Sequence, residues 1–329
     1  MSDSAHHREF DFLGLILRVL GGAILLGGLG TAFLGPAELY SFYLFSEGGR
    51  FHYEGFGFGS FLFAFIAAQI MGYYLIAIAA IPLGYGHLML RRWARPLMRT
   101  LLGFWLVTGL PLTLVTLYTF ITFKDPSMVT FLVALPFAFI LYPIAPLLLM
   151  RFYRSQGIIA AFERQTPEPS WLETIPERVR VLCVLLGFYA IALHIVILLR
   201  GVFPMFGVLL SELPGIVAVD AVIWLMLWLV WGLARLKRWA WWGTLTAFAL
   251  LTLSSLLTFP RYTVADILAQ MAFPAYERVI FQNLPFLNSH VTIVAILPLL
   301  VTLAVAALAG RDFLRANPGP MPGQHAQDG

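Results

Sequence analysis

The side chains of this sequence whose types suit ligation, proton transfer or polar contact inside a membrane are His52, Glu54, Gln69, His194, Asp220 and His290. They are scattered along the chain, and none stands in a recognisable motif. His194 lies toward the outer end of one apolar run and His290 begins another. Two imidazoles are what a bis-histidine haem would need, but nothing in this pair sets such a geometry. His52 and Glu54 are two positions apart, yet a zinc site takes at least three protein ligands and no third is at hand. Cys183 is the one cysteine. A single thiol makes neither an internal disulfide nor a thiolate cage, and inside an apolar run it reads as a small buried residue.

An enzyme working at the outer surface would need His52, Glu54, His194, Asp220 and His290 to converge within hydrogen-bond reach. The sequence contains no Gly-x-x-x-x-Gly-Lys loop, no His-Glu-x-x-His and no Gly-x-Ser-x-Gly. No acidic or basic residue lies near the centre of an apolar run, where ion-coupled carriers usually place one. The residues therefore call for no catalytic group, no metal and no cofactor, and they lean away from an enzyme.

The elements that must position these groups are membrane helices. Sixty percent of the residues are hydrophobic, 12% are charged, and the mean hydropathy is +0.84. A soluble domain is about one quarter charged. So few charges cannot cover a water-facing surface, so the exterior is built for lipid. Eight apolar runs stand out, at roughly 12–34, 59–90, 97–123, 128–150, 179–200, 216–236, 240–259 and 290–310. Each is near or above the ~20 residues that cross a bilayer as a helix. The runs are continuous rather than alternating, which argues against strands, and backbone groups in lipid must be satisfied within the segment. The predicted fold class is an all-α integral membrane protein with about eight transmembrane helices in two tandem four-helix halves. Pro82, Pro111, Pro136, Pro143, Pro146 and Pro298 fall inside spans and are expected to kink them.

Orientation follows from the cations. With the N-terminus inside, 16 Lys and Arg fall on the inner side and 5 on the outer side. The positive-inside rule then places both termini in the cytoplasm, in a bacterial-type inner membrane. The first run is too long for a cleaved signal and lacks a basic stretch before it, so it reads as a retained span. Arg91, Arg92, Trp93, Arg95, Lys237, Arg238 and Trp239 flank inner turns, where they suit topology and headgroup contact. Two outer loops are long. Residues 35–58 are aromatic and glycine-rich. Residues 260–289 hold an amphipathic stretch with Val264, Ile267, Leu268 and Met271 on one face, expected to lie on the membrane surface rather than as a lid over the bundle.

Three patterns bear on packing. Gly14, Gly21, Gly28 and Gly35 recur every seven residues in the first run. That repeat keeps one smooth stripe toward a partner helix, which defines a seam. Trp224, Trp228 and Trp231 form a stripe at helical spacing. Gln69 reads as interhelical glue. Asp220 lies about one turn into its run, after a break at Pro214-Gly215, and has Arg200 and Arg261 as candidate partners.

The two halves share landmarks. Gly86 and Leu90-Arg91-Arg92-Trp93-Ala94 match Gly232 and Leu236-Lys237-Arg238-Trp239-Ala240 at a constant offset of 146. Duplication and convergence both account for this. The predicted organisation is a first membrane half over 1–165, ending in a short interfacial helix (152–162). A cytoplasmic linker over 166–178, a second half over 179–315 and a disordered tail over 316–329 follow.

Three functions compete. A non-catalytic accessory, scaffold or partner-binding component leads, with the lipid bilayer and a membrane protein partner or homo-oligomer as its contacts and no nucleic acid. A carrier of a small apolar molecule or lipid comes second, and it requires a midplane cavity between the halves lined by groups such as Gln69 and His194. An outer-surface enzyme comes last.

Overall fold

The structure is a computed structural model that describes residues 2–52, 57, 60–122, 128–271, 273, 277–279 and 285–316. Tyr53, Glu54, Phe56 and Phe58 of the first outer loop, the tail after 316 and the side chain of His290 lie outside the described residues. Among those described, eight helices are long and apolar enough to cross a membrane. The protein is thus a polytopic, helical membrane protein in contact with the lipid bilayer.

Helix α1 (Ser2–Phe45) pairs with α2 (Phe61–Leu88) along most of its length. The helix does not stop at Leu34 as the hydropathy suggests but runs through Pro36 to Phe45. Proline removes one hydrogen bond there, and packing across the pair holds the continuation in place: Phe42 lies 5.4 Å from Phe63. Helix α3 (Ala94–Thr122) follows, then α4 (Met128–Phe139), a π turn (Ile140–Ile144) and α5 (Ala145–Phe152). The π turn is where the chain accommodates Pro143 and Pro146. A wider turn relieves the clash a proline ring makes with the carbonyl four residues back.

The connection between α5 and α8 carries two short helices. Helix α6 (Gln156–Gln165) begins after a turn at 153–155, so the interfacial helix sits later than 152–162. It buries Ile158, Ala161 and Phe162 in a core with Leu17, Leu83 and Tyr153. A one-turn helix, α7 (Trp171–Thr174), occupies the supposed linker, and α8 (Glu177–Leu198) starts before it ends.

After α8 the chain forms a small antiparallel hairpin, β1 (Phe203–Met205) and β2 (Val208–Leu210), which periodicity did not reveal. Then come α9 (Glu212–Ala234), α10 (Arg238–Thr258), α11 (Val264–Met271) and α12 (Pro285–Ala316). Pro214-Gly215 is no break. It lies in the first turn of α9, where proline costs no helical hydrogen bond. Helices α8, α9, α10 and α12 close into a ring, each touching the next and α12 returning to α8. Their shared core includes Leu182, Leu186, Leu229, Leu233, Phe248 and Phe313. The first four spans close no such ring: α3 packs on α2, on α4–α5, and also on α8 and α12 of the second set.

The two inner turns at the 146-residue offset have the same construction. Leu90 and Leu236 both take a left-handed backbone, with φ of 46° and 53°. Arg91 N–H donates to Gly86 O at 2.7 Å, and Lys237 N–H to Gly232 O at 3.0 Å. This is the hydrogen bond of a Schellman helix end. Each glycine lies flat against the following Trp and Ala: a Cβ on Gly86 would sit 2.8 Å from Trp93, and one on Gly232 would sit 2.6 Å from Trp239.

The amphipathic stretch at 264–271 covers protein, not lipid headgroups. Val264, Ile267 and Leu268 are buried, and they pack with Phe61, Leu199, Phe273 and Val291 or with Val202, just before the hairpin, and Leu209 within it. The apolar face that looked suited to a membrane surface is satisfied by the start of α2, the chain just after α8 and the N-terminal part of α12.

Candidate functional site

An apolar space lies inside the α8–α9–α10–α12 ring, toward its hairpin end. It is a cavity of about 370 Å³ with walls from Leu193, Val222, Met226, Phe248, Leu251 and Leu299. The hairpin residues Phe203 and Pro204 close it on one side. Two hydroxyls on α10 hold the hairpin down. Ser254 Oγ donates to Pro204 O at 2.8 Å and accepts from Phe206 N–H at 2.9 Å. Thr258 Oγ1 accepts from Gly207 N–H at 2.9 Å and donates to Ser254 O. Gly207 has φ of 98° and lies against the Arg261 guanidinium, so a side chain there would be both strained and blocked.

Three further polar groups reach this cavity region. Tyr189 and Thr302 hydroxyls lie 3.0 Å apart, and Thr302 Oγ1 donates to Pro298 O at 2.8 Å. The Thr302 hydrogen is thereby used, so Tyr189 is the donor between them. Ser255 lines the cavity, is 3% exposed, and makes no side-chain hydrogen bond with the described residues. Its neighbours Thr252, Ser254 and Thr258 all do.

A second cavity, about 400 Å³, lies where α3 and α5 meet α8 and α12. Arg154, Glu177, Arg178 and Asp312 stand at its inner end, and Gly103, Val181 and Val305 are among its apolar walls. It lies between the two sets of four spans, but it is at the inner end rather than midplane, and neither Gln69 nor His194 lines it.

Among the described residues, the His194, Gln69 and Asp220 side chains make no hydrogen bond or ion pair with one another. His194 is exposed on α8, and its Nδ1 contacts its own helix at Ala190 O (2.9 Å) and Ile191 O (3.2 Å). Carbonyls only accept, so Nδ1 carries the hydrogen. Gln69 is half-buried on α2 with no side-chain hydrogen bond among the described residues. Asp220 is exposed on α9 and pairs with neither candidate arginine. Arg200 pairs instead with Glu212 at 3.5 Å, and Arg261 lies over Gly207. Among the described residues no three His, Cys, Asp or Glu side chains gather as a metal site requires.

Along α1, an added Cβ on Gly21 would fall 2.6 Å from Leu88 N, one on Gly28 2.9 Å from Ile81 N, and one on Gly35 2.8 Å from Tyr74. Gly14 is looser, 3.8 Å from Leu90. The stripe therefore meets α2 with backbones in close approach.

The inner cations divide. Arg92 Nε donates to both oxygens of Glu173 at 2.8 and 3.1 Å, and its far nitrogen pairs with Glu163 at 3.2 Å. The bond to Glu173 holds its guanidinium even more firmly charged than usual. Arg95 donates to Tyr153 O at 3.1 Å. Arg99 and Arg154 both pair with Glu177, and Arg180 donates to Thr100, Leu172 O and Ile175 O. These side chains bind the 163–180 segment to α3. Arg91, Lys237 and Arg238 remain exposed, and Trp93 and Trp239 pack on their glycines.

Two polar groups escaped sequence reasoning. His87 is fully buried; its Nδ1 donates to Leu83 O at 2.8 Å, which leaves Nε2 to accept the Tyr153 hydroxyl at 2.8 Å. Burial pushes the Tyr153 phenol far above its ordinary value. Glu277 is 3% exposed and accepts from Phe61 N–H (2.7 Å) and Leu62 N–H (3.2 Å), the first turn of α2. A carboxylate at a helix N-terminus satisfies orphan donors and opposes the helix dipole. Its partner lies more than 200 positions away in sequence, so no local signal marked it. No family model, no curated protein and no solved structure matches this chain.

Proposed function

We propose that the chain is a non-catalytic membrane component that docks a partner protein through the exposed face of α9. One observation carries the reading: Asp220 sits in the middle of an apolar, outward-facing stripe. Leu213 is 72% exposed, Val217 59% and Trp224 66%, and Asp220 lies between the last two on the same face. It is eight positions into a 23-residue helix, so about 12 Å from the helix start at 1.5 Å per residue. Ionisable groups at such depth almost always face a partner or a water-filled space, because lipid solvates them badly. Here none of the described residues offers one.

The fitting occupant is a transmembrane helix of another protein, presenting a hydrogen-bond donor or cation at the depth of Asp220. A second copy fits poorly. An isologous contact about this face would bring two Asp220 carboxylates together at one depth, and like charges in a low-dielectric site repel. Gln69, another membrane-span group without a side-chain bond, agrees with a surface completed by a partner. A carrier path between the halves has weaker support, since the space between them is confined to the inner end.

The matched inner turns support a duplicated organisation, tandem four-span halves over 1–165 and 179–315, in which the first set has opened to share α3 with the second. The cation bias supports a bacterial-type inner membrane with both termini cytoplasmic.

The test uses the full chain in native membranes, with a photo-crosslinking residue at Val217. The expected result is one discrete protein adduct that Asp220→Leu abolishes and Asp220→Asn retains. Adducts with lipid alone, an adduct of two copies of this chain, or indifference to Asp220→Leu would overturn the reading.

A further inference from the structure

We propose that the cavity inside the α8–α9–α10–α12 ring is a binding site for a neutral, lipid-like molecule with one carbonyl or hydroxyl oxygen, held by Ser255. The inference is independent of the partner-docking reading.

The walls decide the ligand's body. No charged side chain lines the cavity, so a charged ligand would lose its hydration without compensation. Water is an equally poor occupant. A buried water needs two to four polar partners. Of the hydroxyls there only Ser255 has a free hydrogen, because the Tyr189 hydrogen goes to Thr302 and the Thr302 hydrogen to Pro298 O, which leaves the Tyr189 oxygen as an acceptor alone. A space of about 370 Å³ accepts on the order of a dozen non-hydrogen atoms, at the ~30 Å³ that one water molecule takes in the liquid.

Ser255 decides the ligand's polar end. Hydroxyls in membrane helices ordinarily satisfy themselves on the carbonyl four residues back, as Thr252 and Thr258 do at 2.7 Å. Ser255 makes no such bond although it is 3% exposed. Its hydroxyl lines the cavity instead, where an oxygen of a ligand would pair its hydrogen. The hairpin cannot serve, because Ser254 and Thr258 already hold it.

The route in is marked by a neighbouring apolar cavity of about 340 Å³ beneath α11. Phe259 and Ala295 line both spaces. Turning of the Phe259 ring would join them.

The experiment uses the full chain in lipid nanodiscs with three diazirine-bearing probes of equal chain length: a twelve-carbon alcohol, the hydrocarbon and the carboxylate. Labelled peptides are mapped by mass spectrometry. The proposal expects saturable labelling by the alcohol on α10 and α12 beside the cavity, and little by the carboxylate. Ser255→Ala should weaken the alcohol about fivefold, the weight of one hydrogen bond, and leave the hydrocarbon unchanged. Ala295→Trp, filling the space, should abolish labelling by both, with folding verified by thermal unfolding. Non-saturable labelling, stronger labelling by the carboxylate, indifference to Ala295→Trp, or equal loss of alcohol and hydrocarbon in Ser255→Ala would overturn it.

Discussion

Two side chains carry structural consequences out of proportion to their size. The His87 imidazole joins α2 to the end of α5, with one nitrogen on its own helix and the other on Tyr153. Phe162 of α6 packs edge-on against it at 5.5 Å. Removing one partner strands the other in a dry place. Tyr153→Phe is therefore expected to destabilise the protein by about 1–3 kcal/mol, the cost of an unsatisfied buried group. The double variant with His87→Phe should cost less than the sum of the singles, because neither orphan remains. Unfolding curves of the four proteins in mild detergent measure the coupling, and strict additivity would contradict it. Glu277 acts across a longer distance: it caps α2 from a helical turn (277–279) before α12. Glu277→Ala should free two backbone donors and hasten amide exchange at Phe61 and Leu62, while Glu277→Gln keeps one acceptor and gives a smaller effect. Equal exchange in all three proteins would remove the capping role.

Helix pairing shows what a sequence pattern can and cannot convey. A Cβ on Gly21 would meet Leu88 N at 2.6 Å, whereas Gly27 and Gly30 on the same helix have nothing within 4 Å. Gly21→Ala is expected to cost about 1–3 kcal/mol through overpacking, and Gly27→Ala to be neutral or stabilising through helix propensity. Thermal unfolding separates the two, and a matched response would mean that the α1–α2 approach is looser than it stands here. The heptad was legible because lipid-exposed helices reveal seams by residue size. The extension of α1 to Phe45 was not, because it depends on Phe42 meeting Phe63 across a loop. The role of α11 was half legible: its apolar face is plain, but amphipathicity does not say whether lipid or protein covers that face. Thr263 and Asp266 cap α11 reciprocally, and the Thr263 hydroxyl and N–H hold the Asp266 carboxyl below its usual 3.8. A depressed folded value means that the cap's contribution is present above the unfolded value and is lost as pH falls through the folded one. Acidification below 3.8 should thus raise hydrogen exchange in α11 of the native chain and leave Asp266→Asn, whose amide does not titrate, unchanged; parallel pH profiles would refute this.

At the scale of the whole molecule, the two sets of four spans are asymmetric. The second closes on itself, leaves a cavity and needs only a hairpin to cover it. The first leaves α3 open toward α8 and α12, and the 163–180 segment bridges the opening on the inner side through Glu163, Glu173 and Glu177. Composition alone reads that segment as a linker because its acids and the arginines they meet are about 80 positions apart. The bridge also explains an asymmetry between the two matched turns: the first turn's Arg92 is neutralised by Glu163 and Glu173, while Lys237 and Arg238 stay exposed with no ion pair among the described residues. What those exposed cations meet depends on which side of the membrane the turns occupy. The 16-to-5 cation bias favours the cytoplasm for them under the positive-inside rule. With Cys183 replaced by Ala, single cysteines at Gly48 and Lys237 test it, since both positions are exposed and Gly48 has open space around it. A membrane-impermeant maleimide should label Gly48→Cys in intact cells stripped of any outer membrane, and Lys237→Cys only after lysis. The opposite pattern would put the free cations on the outer surface, and with them the α11 lid and the hairpin on the inside, reversing the side from which a ligand reaches Phe259.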